Sequence, residues 1–150
     1  MAALFIGAQN ETDKEDSTLA LHVIGRVKKE AGRTEIVLKQ KYQPGLRGLA
    51  DFSHAYVLYW FDRNDSPEKR STLEVYPRGN RLNPLTGVFA TRSPSRPNLI
   101  ALSLCEIVSV RANVVELRDI DALPDSPVLD LKPYLPETKL ESFKVPDWAK

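Results

Sequence analysis

Apolar positions along the 150-residue chain fall into short runs, not into stripes spaced every three or four residues. LALHVIGRV, from Leu19, and TEIVLKQ, from Thr34, are apolar and β-branched. The polar stretch from Lys28 to Arg33 lies between them and contains Gly32, so the pattern predicts a strand, a turn and a second strand. Ala55 to Phe61, AYVLYWF, has four aromatics in seven residues and no helical stripe. That predicts a central strand buried on both faces. Ser71 to Tyr76 reads as another short strand. Leu99 to Val110, a three-residue turn Arg111-Ala112-Asn113 and Val114 to Ile120 read as a hairpin. Val128 to Leu131, framed by Pro127 and Pro133, is the last short strand. Strands at short, regular spacing with little helix predict an all-β barrel or sandwich.

The segments between these runs carry turn signals. Gln43-Pro44-Gly45 is a turn, Gly45 to Ala50 suits one helical turn, and Asp62 to Arg70 is a solvated loop. Pro77 to Thr86 holds two prolines and a glycine and is predicted to be irregular. Residues 1–17 end in a polar, charge-dense run and are expected to be flexible, with an edge strand over Ala2 to Ile6 left open. Residues 18–150 form the expected single domain. Its proline-broken tail has Trp148 as an anchor against the body.

Composition changes this picture little. Charged residues make up 27% and hydrophobic ones 42%, which argues against wholesale disorder. The formal net charge is +1, so nucleic-acid binding requires a local basic patch. No apolar run approaches the roughly 20 residues that span a bilayer, and no charged n-region precedes the apolar N-terminal piece. The single cysteine, Cys105, sits in an apolar run and reads as core packing. A reducing, cytoplasmic setting fits best.

The stretch Gly87 to Ser103, GVFATRSPSRPNLIALS, carries the candidate chemistry. Val88 and Phe89 read as a short strand. Arg92 and Arg96 flank Ser93-Pro94-Ser95, and Pro97 follows. Prolines make the loop stiff and non-helical. Two guanidiniums on a stiff loop suit bidentate binding of a carboxylate or phosphate; the competing reading is two solvated surface charges. Further along, carboxylates in Arg118-Asp119-Ile120-Asp121 can receive ribose hydroxyls and Lys132 a phosphate, or Asp121 and Asp125 simply stabilise a turn around Pro124. Asp51, Ser53 and His54 invite a catalytic-triad reading, but three such residues crowded into four positions rarely reach the required geometry. Asp51 or Ser53 capping a turn, with His54 packed, is the simpler expectation. Two histidines and one cysteine cannot build the usual zinc ligand sets without carboxylates, so no metal is expected. Neither GxGxxG nor GxxxxGK[ST] occurs, so any nucleotide-like cofactor is bound without a Rossmann fold.

Three ordered blocks together carry a resemblance: Asp51-Phe52-Ser53-His54 running into the aromatic strand, Gly87 to Ser103, and Pro124 to Tyr134. The chain resembles the TsaA-like/TrmO (YaeB-like) family over roughly Val23 to Trp148, including the ending Val145-Pro146-Asp147-Trp148. The resemblance implies a compact β-barrel with short irregular or helical connections, and a homodimeric S-adenosyl-L-methionine-dependent methyltransferase. The implied acceptor is threonylcarbamoyl-adenosine in the anticodon loop of threonine tRNA. At matching positions Arg92 is similar to the family's cofactor-contacting arginine, and Leu102 to the residue lining its adenine pocket. Asp62, Arg63, Arg118, Asp119, Ile120 and Asp121 stand at its other cofactor contacts. The resemblance also has Arg96, Asn98, Lys132 and Tyr134 shaping the cleft. Arg78 and Arg81, with Arg63, Lys69 and Arg70, lie in the two irregular segments and are the candidate RNA-binding patch.

The chain departs from the family pattern at Leu99 and Ala101, where Pro and Gly are usual, at Asp62 for histidine, and at Pro124-Asp125 for Asp-Gly. The connection from Arg26 to Thr34 is too short for the family's longer cofactor-covering loop. Alternative expectations are therefore another RNA or a small molecule as acceptor, or a barrel that binds without catalysing.

Overall fold

The computed structural model describes residues 18–136 and 140–150. The expected flexible segment over 1–17, with its apolar start at Ala2 to Ile6, lies outside them. Eight strands are present among the described residues: β1 (Gly25–Glu30), β2 (Arg33–Leu38), β3 (His54–Trp60), β4 (Glu74–Val75), β5 (Thr86–Gly87), β6 (Ile100–Arg111), β7 (Val114–Arg118) and β8 (Pro127–Pro133). Six close into an antiparallel barrel in the order β1-β2-β7-β6-β3-β8, while β4 and β5 pair separately. The one α-helix among the described residues is a single turn, α1 (Pro67–Arg70), and the other helical pieces are short 3-10 turns. No helix among the described residues is long and apolar enough to cross a membrane.

Period-two alternation along the strands builds the core, because successive side chains point to opposite faces. Val27, Ile36, Ala55, Val57, Cys105, Val115 and Val128 are wholly buried inside. The seam between β1 and β8 is short, with Gly25 opposite Val128 and Arg26 opposite Pro127. It is extended by Ile24 donating to the Val128 carbonyl at 2.8 Å and Val27 donating to that of Ser126 at 3.1 Å. Gly25 is required where β1 meets β2: a Cβ would lie 2.6 Å from the Val37 carbonyl oxygen and 2.9 Å from Leu38 Cα.

Several expected boundaries move. The first strand begins at Gly25, not Leu19; Leu19 and Leu21 are exposed with no neighbouring strand to cover them. Its turn is only Ala31-Gly32, with both φ positive (47° and 76°), as a two-residue hairpin joining right-twisted strands demands. The second hairpin likewise turns on two residues, Ala112 and Asn113, not three. The aromatic strand β3 is central, paired on both edges, but buried on one face only. Ala55, Val57 and Tyr59 point inward, while Tyr56, Leu58 and Trp60 are half-covered outside. Val88 and Phe89 are not a strand. Strand β5 precedes them, and Val88–Ala90 is a 3-10 turn. The strand expected over Ser71 to Tyr76 shrinks to Glu74–Val75, and the 3-10 turns over Gln40–Leu46 and Leu49–Asp51 are separated by left-handed Gly48.

Candidate active site

A cleft opens where the ladder on β6 is one-sided. Strand β6 pairs with β3 from Ile100 to Glu106, but β7 joins its other edge only at Glu106. The first half of β6 therefore has a free edge beside the barrel mouth, a place where unpaired backbone groups await a partner. β7 stops because Asp119 takes a left-handed φ of 65°. Ile120 and Ala122 then bury their side chains, which leaves Asp119 and Asp121 exposed between them. The opposite wall is the arginine loop. The space enclosed, about 490 Å³, is lined by Tyr59, Phe61, Thr91, Arg92, Arg96, Ile100 to Leu104, Asp119 and Asp121. That volume falls within the roughly 300–1,000 Å³ of small-molecule sites.

The loop is rigid because its polar groups satisfy one another. Arg96 donates from Nη1 to the carbonyls of Thr91 (3.3 Å) and Ser93 (3.4 Å) and from Nη2 to that of Val88 (3.2 Å). Thr91 Oγ1 accepts from the Ser93 N–H, and Ser93 Oγ from the N–H of buried Ser95. An external clip is supplied by Arg70, whose guanidinium donates to the Pro97 carbonyl (3.1 Å) and to Asp65 (2.7 Å), and lies 5.3 Å from the Trp60 ring centroid. Asp65 also accepts from Trp60 Nε1 (3.1 Å). The hydrogen bond from Arg70, then that from Trp60, hold the Asp65 carboxyl below its ordinary pKa. Ser66 caps α1 by accepting from the Lys69 N–H. Arg92 is different. Among the described residues it has no hydrogen-bond or ion-pair partner, and its side chain is exposed along the cleft.

At the floor, Tyr59 Oη lies 3.3 Å from Ser103 Oγ, and burial pushes the Tyr59 phenol above its ordinary pKa. Burial also pushes the Cys105 thiol up to about 11, so this cysteine is a neutral core side chain.

Arg92, Leu102, Asp119, Asp121 and Arg96 come together in the cleft; the remaining candidates do not. Ile120 is a core side chain. Arg118 pairs with Glu106 at 3.0 Å on the barrel surface. Asp62 is exposed on a 3-10 turn, and Arg63 reaches the Pro124 carbonyl at 3.2 Å. Asn98 is exposed, with its carbonyl accepting from Ile100. Lys132 pairs with Asp130 at 3.0 Å, and Tyr134 packs 6.0 Å from Tyr56. Asp125 takes a left-handed φ, and its backbone bonds Val27 and Arg26, as the turn reading expects. His54 Nδ1 meets Ser53 Oγ at 2.9 Å at the head of β3, while Asp51 ends a 3-10 turn.

Arg78 and Arg81 line a second, larger cleft of about 1240 Å³, together with Tyr76, Phe89, Thr91, Arg92 and Trp148. Thr91 and Arg92 belong to both clefts and form their common wall. Sequence reasoning missed Tyr59, Phe61, Thr91 and Ser103. The alternation of β3 marks Tyr59 as inward-facing; only the fold brings Ser103 and Asp121 to it.

The fold belongs to a class already seen in crystals. TrmO from Pseudomonas aeruginosa matches with a TM-score of 0.66 and 26% identity, over 85% of this chain and 62% of that one. The family is settled by sequence: the profile of the tRNA-methyltransferase O N-terminal domain matches residues 25–139, and the chain belongs to this family of S-adenosyl-L-methionine-dependent methyltransferases. A probable S-adenosyl-L-methionine-binding protein of Methanocaldococcus jannaschii is 42% identical over 125 residues, 83% of this chain and 98% of that protein. The human tRNA (adenine(37)-N6)-methyltransferase is 41% identical over 92 residues, 61% of this chain but only 20% of that protein. The chain thus spans a minor part of the human enzyme and less than two thirds of the solved TrmO chain.

Proposed function

We propose that this domain binds S-adenosyl-L-methionine in the cleft at the free edge of β6 and methylates the exocyclic nitrogen of adenosine 37 in tRNA, with threonylcarbamoyl-adenosine of threonine tRNA as the acceptor. The carrying observation is Arg92, an unpartnered guanidinium on a loop braced by Arg96, sharing one cleft with Asp119 and Asp121 above a floor that includes Tyr59 and Ser103. This donor set fits the cofactor. Arg92 matches its carboxylate, Asp119 and Asp121 its amino group and ribose hydroxyls, and Leu102 with Phe61 its adenine. The bound cofactor supplies an electrophilic methyl group. The chain's own task is alignment: a stiff wall, a neutral Tyr59–Ser103 floor and the Arg92 guanidinium that meets the cofactor hold two reactants in register, which is where proximity lowers a barrier.

The larger cleft supports an RNA acceptor. Among the described residues its lining holds Arg78, Arg81 and Arg92 and no carboxylate side chain, a local basic surface on a nearly neutral chain. Reversing Arg78 and Arg81 to glutamate abolishes tRNA binding on this reading and leaves cofactor binding intact. The outer face carrying Ile100 and Leu104 with Tyr56, Leu58 and Trp60 is apolar, incompletely covered and borders the cleft; we assign it to a second copy of the chain, and the enzyme to the cytoplasmic tRNA pool. Calorimetric titration with the cofactor, followed by mass spectrometry of threonine tRNA from a deletion strain, tests the assignment. Absence of binding heat leaves a barrel without this cofactor, and an unchanged nucleoside 37 moves the acceptor elsewhere.

A further inference from the structure

The largest apolar side chain of the arginine loop points away from the core. Phe89 is 80% exposed, although its neighbour Val88 is only 1% exposed. Both lie in one 3-10 turn, pinned by the Val88 carbonyl accepting from Thr91 Oγ1 (3.0 Å) and Arg96 Nη2 (3.2 Å). An exposed phenyl ring on a mobile tip is ordinary; one on a cross-braced turn projects outward from a fixed backbone position. Exposing it this way costs hydrophobic free energy, and four-fifths of its surface is left uncovered by the described residues.

Its surroundings select the occupant. Phe89 lines the larger cleft with Tyr76 and Trp148, between Arg78, Arg81 and Arg92 and with no carboxylate in the lining. Arg81 already lies 5.6 Å from the Tyr76 ring centroid. Aromatic faces interleaved with guanidiniums are the chemistry of a splayed single strand, whose bases stack while the phosphates meet arginine. A protein partner with an acidic, apolar surface is the alternative. It does not need a rigid, isolated ring, and the cleft does not continue into the apolar face of β6 and β3.

We propose that Phe89 is the stacking platform for an unpaired anticodon-loop base flanking the acceptor adenosine. This deepens the tRNA methyltransferase reading and rests on it. Two residues further on, Thr91 and Arg92 form the wall shared with the donor cleft. A base held on Phe89 thereby sets how far its neighbour reaches over that wall. Phe89 contacts substrate and fixes its register, and takes no part in cofactor binding.

The test uses the whole chain, a threonine-tRNA anticodon stem-loop with 2-aminopurine beside position 37, and the variants Phe89→Ala, Phe89→Leu and Phe89→Tyr. The thermal midpoint and cofactor affinity should be unchanged in all three, since the ring is exposed and outside the donor cleft. Stem-loop affinity should fall about tenfold or more in the alanine and leucine variants, from the typical worth of one base–aromatic stack. The tyrosine variant should bind like the wild type, and 2-aminopurine fluorescence should be quenched by the wild type and tyrosine variant alone. Equal affinity for the leucine variant and the wild type overturns the stacking role while leaving the methyltransferase reading intact. Loss of a dimer with unchanged stem-loop affinity also overturns it, by assigning Phe89 to a protein interface. A wild-type protein that binds cofactor but no stem-loop overturns this inference and the tRNA reading together.

Discussion

The barrel and the segment from Asp62 to Asn98 are held together by different means. The barrel rests on backbone ladders around an interior of valine, isoleucine, leucine and alanine, with one seam closed by a glycine. The other segment contributes only the two-residue strands β4 and β5, one α-helical turn and three short 3-10 turns. Its order comes from side chains bonding carbonyls: Arg96 to Val88, Thr91 and Ser93, Arg70 to Pro97, and Asn83 to Pro77 at 3.0 Å. Apolar burial tolerates many sequences of similar volume. A guanidinium bracing three carbonyls tolerates almost none. Binding chemistry is therefore concentrated in the part that depends on individual polar residues, which is also the part that presents Arg92.

Substitutions should separate the two regions. Gly25→Ala attacks the barrel where β1 meets β2 and β8, and the clash with backbone should cost about 3 kcal/mol, at the upper end of overpacking. Chemical denaturation measures it, and an unchanged midpoint would mean that the seam relaxes freely.

The next effect is a pH dependence. The Cys105 thiol is raised in the folded protein from 9.0 to about 11. Between those values the folded state keeps a proton that the unfolded state has lost, so stability falls as pH rises through the window. The full loss is roughly 2–3 kcal/mol, from 1.36 kcal/mol per pKa unit. Raised by burial, Tyr59 acts in the same direction at higher pH. Denaturation curves at pH 8.5 and 10.5 should diverge for the wild type and converge for Cys105→Ala. Equal divergence in both would place the titrating group elsewhere.

Arg96→Met belongs to the polar region. It removes the bonds to three carbonyls, and cofactor affinity should fall about tenfold, equivalent to 1.4 kcal/mol, with little change in thermal midpoint. A large thermal shift with intact affinity would reverse the roles assigned to the two regions. Ala31→Gly is the smallest. The left-handed φ of 47° disfavours a Cβ, and glycine should stabilise the hairpin by up to about 0.5 kcal/mol, measurable as a small rise in midpoint.

The same division explains what could be read from the chain. Strands β1, β2, β3, β6, β7 and β8 follow from runs of apolar and β-branched residues, and Cys105 from its place in one. Their ends do not, because Gly25, Ala31 and Asp119 set them through a close approach or a left-handed turn. Arg92 and Leu102 came from a motif, and the structure gathers them with Asp121 although 19 positions separate Leu102 from Asp121 in sequence. The structural role of Arg96 was hidden because its partners are carbonyls, which carry no sequence signal. Lys132 and Tyr134 read as cleft residues from their motif, yet β8 turns them to Asp130 and Tyr56 on the outer surface. The cofactor cleft becomes apparent only once β7 is known to leave the first half of β6 unpaired.

The most direct measurement is calorimetric titration of the wild type and Arg92→Ala with S-adenosyl-L-methionine. The wild type should bind at one site per chain, and the variant at least tenfold more weakly with an unchanged thermal midpoint. Equal affinity in the two proteins would contradict the assignment of that cleft to the cofactor.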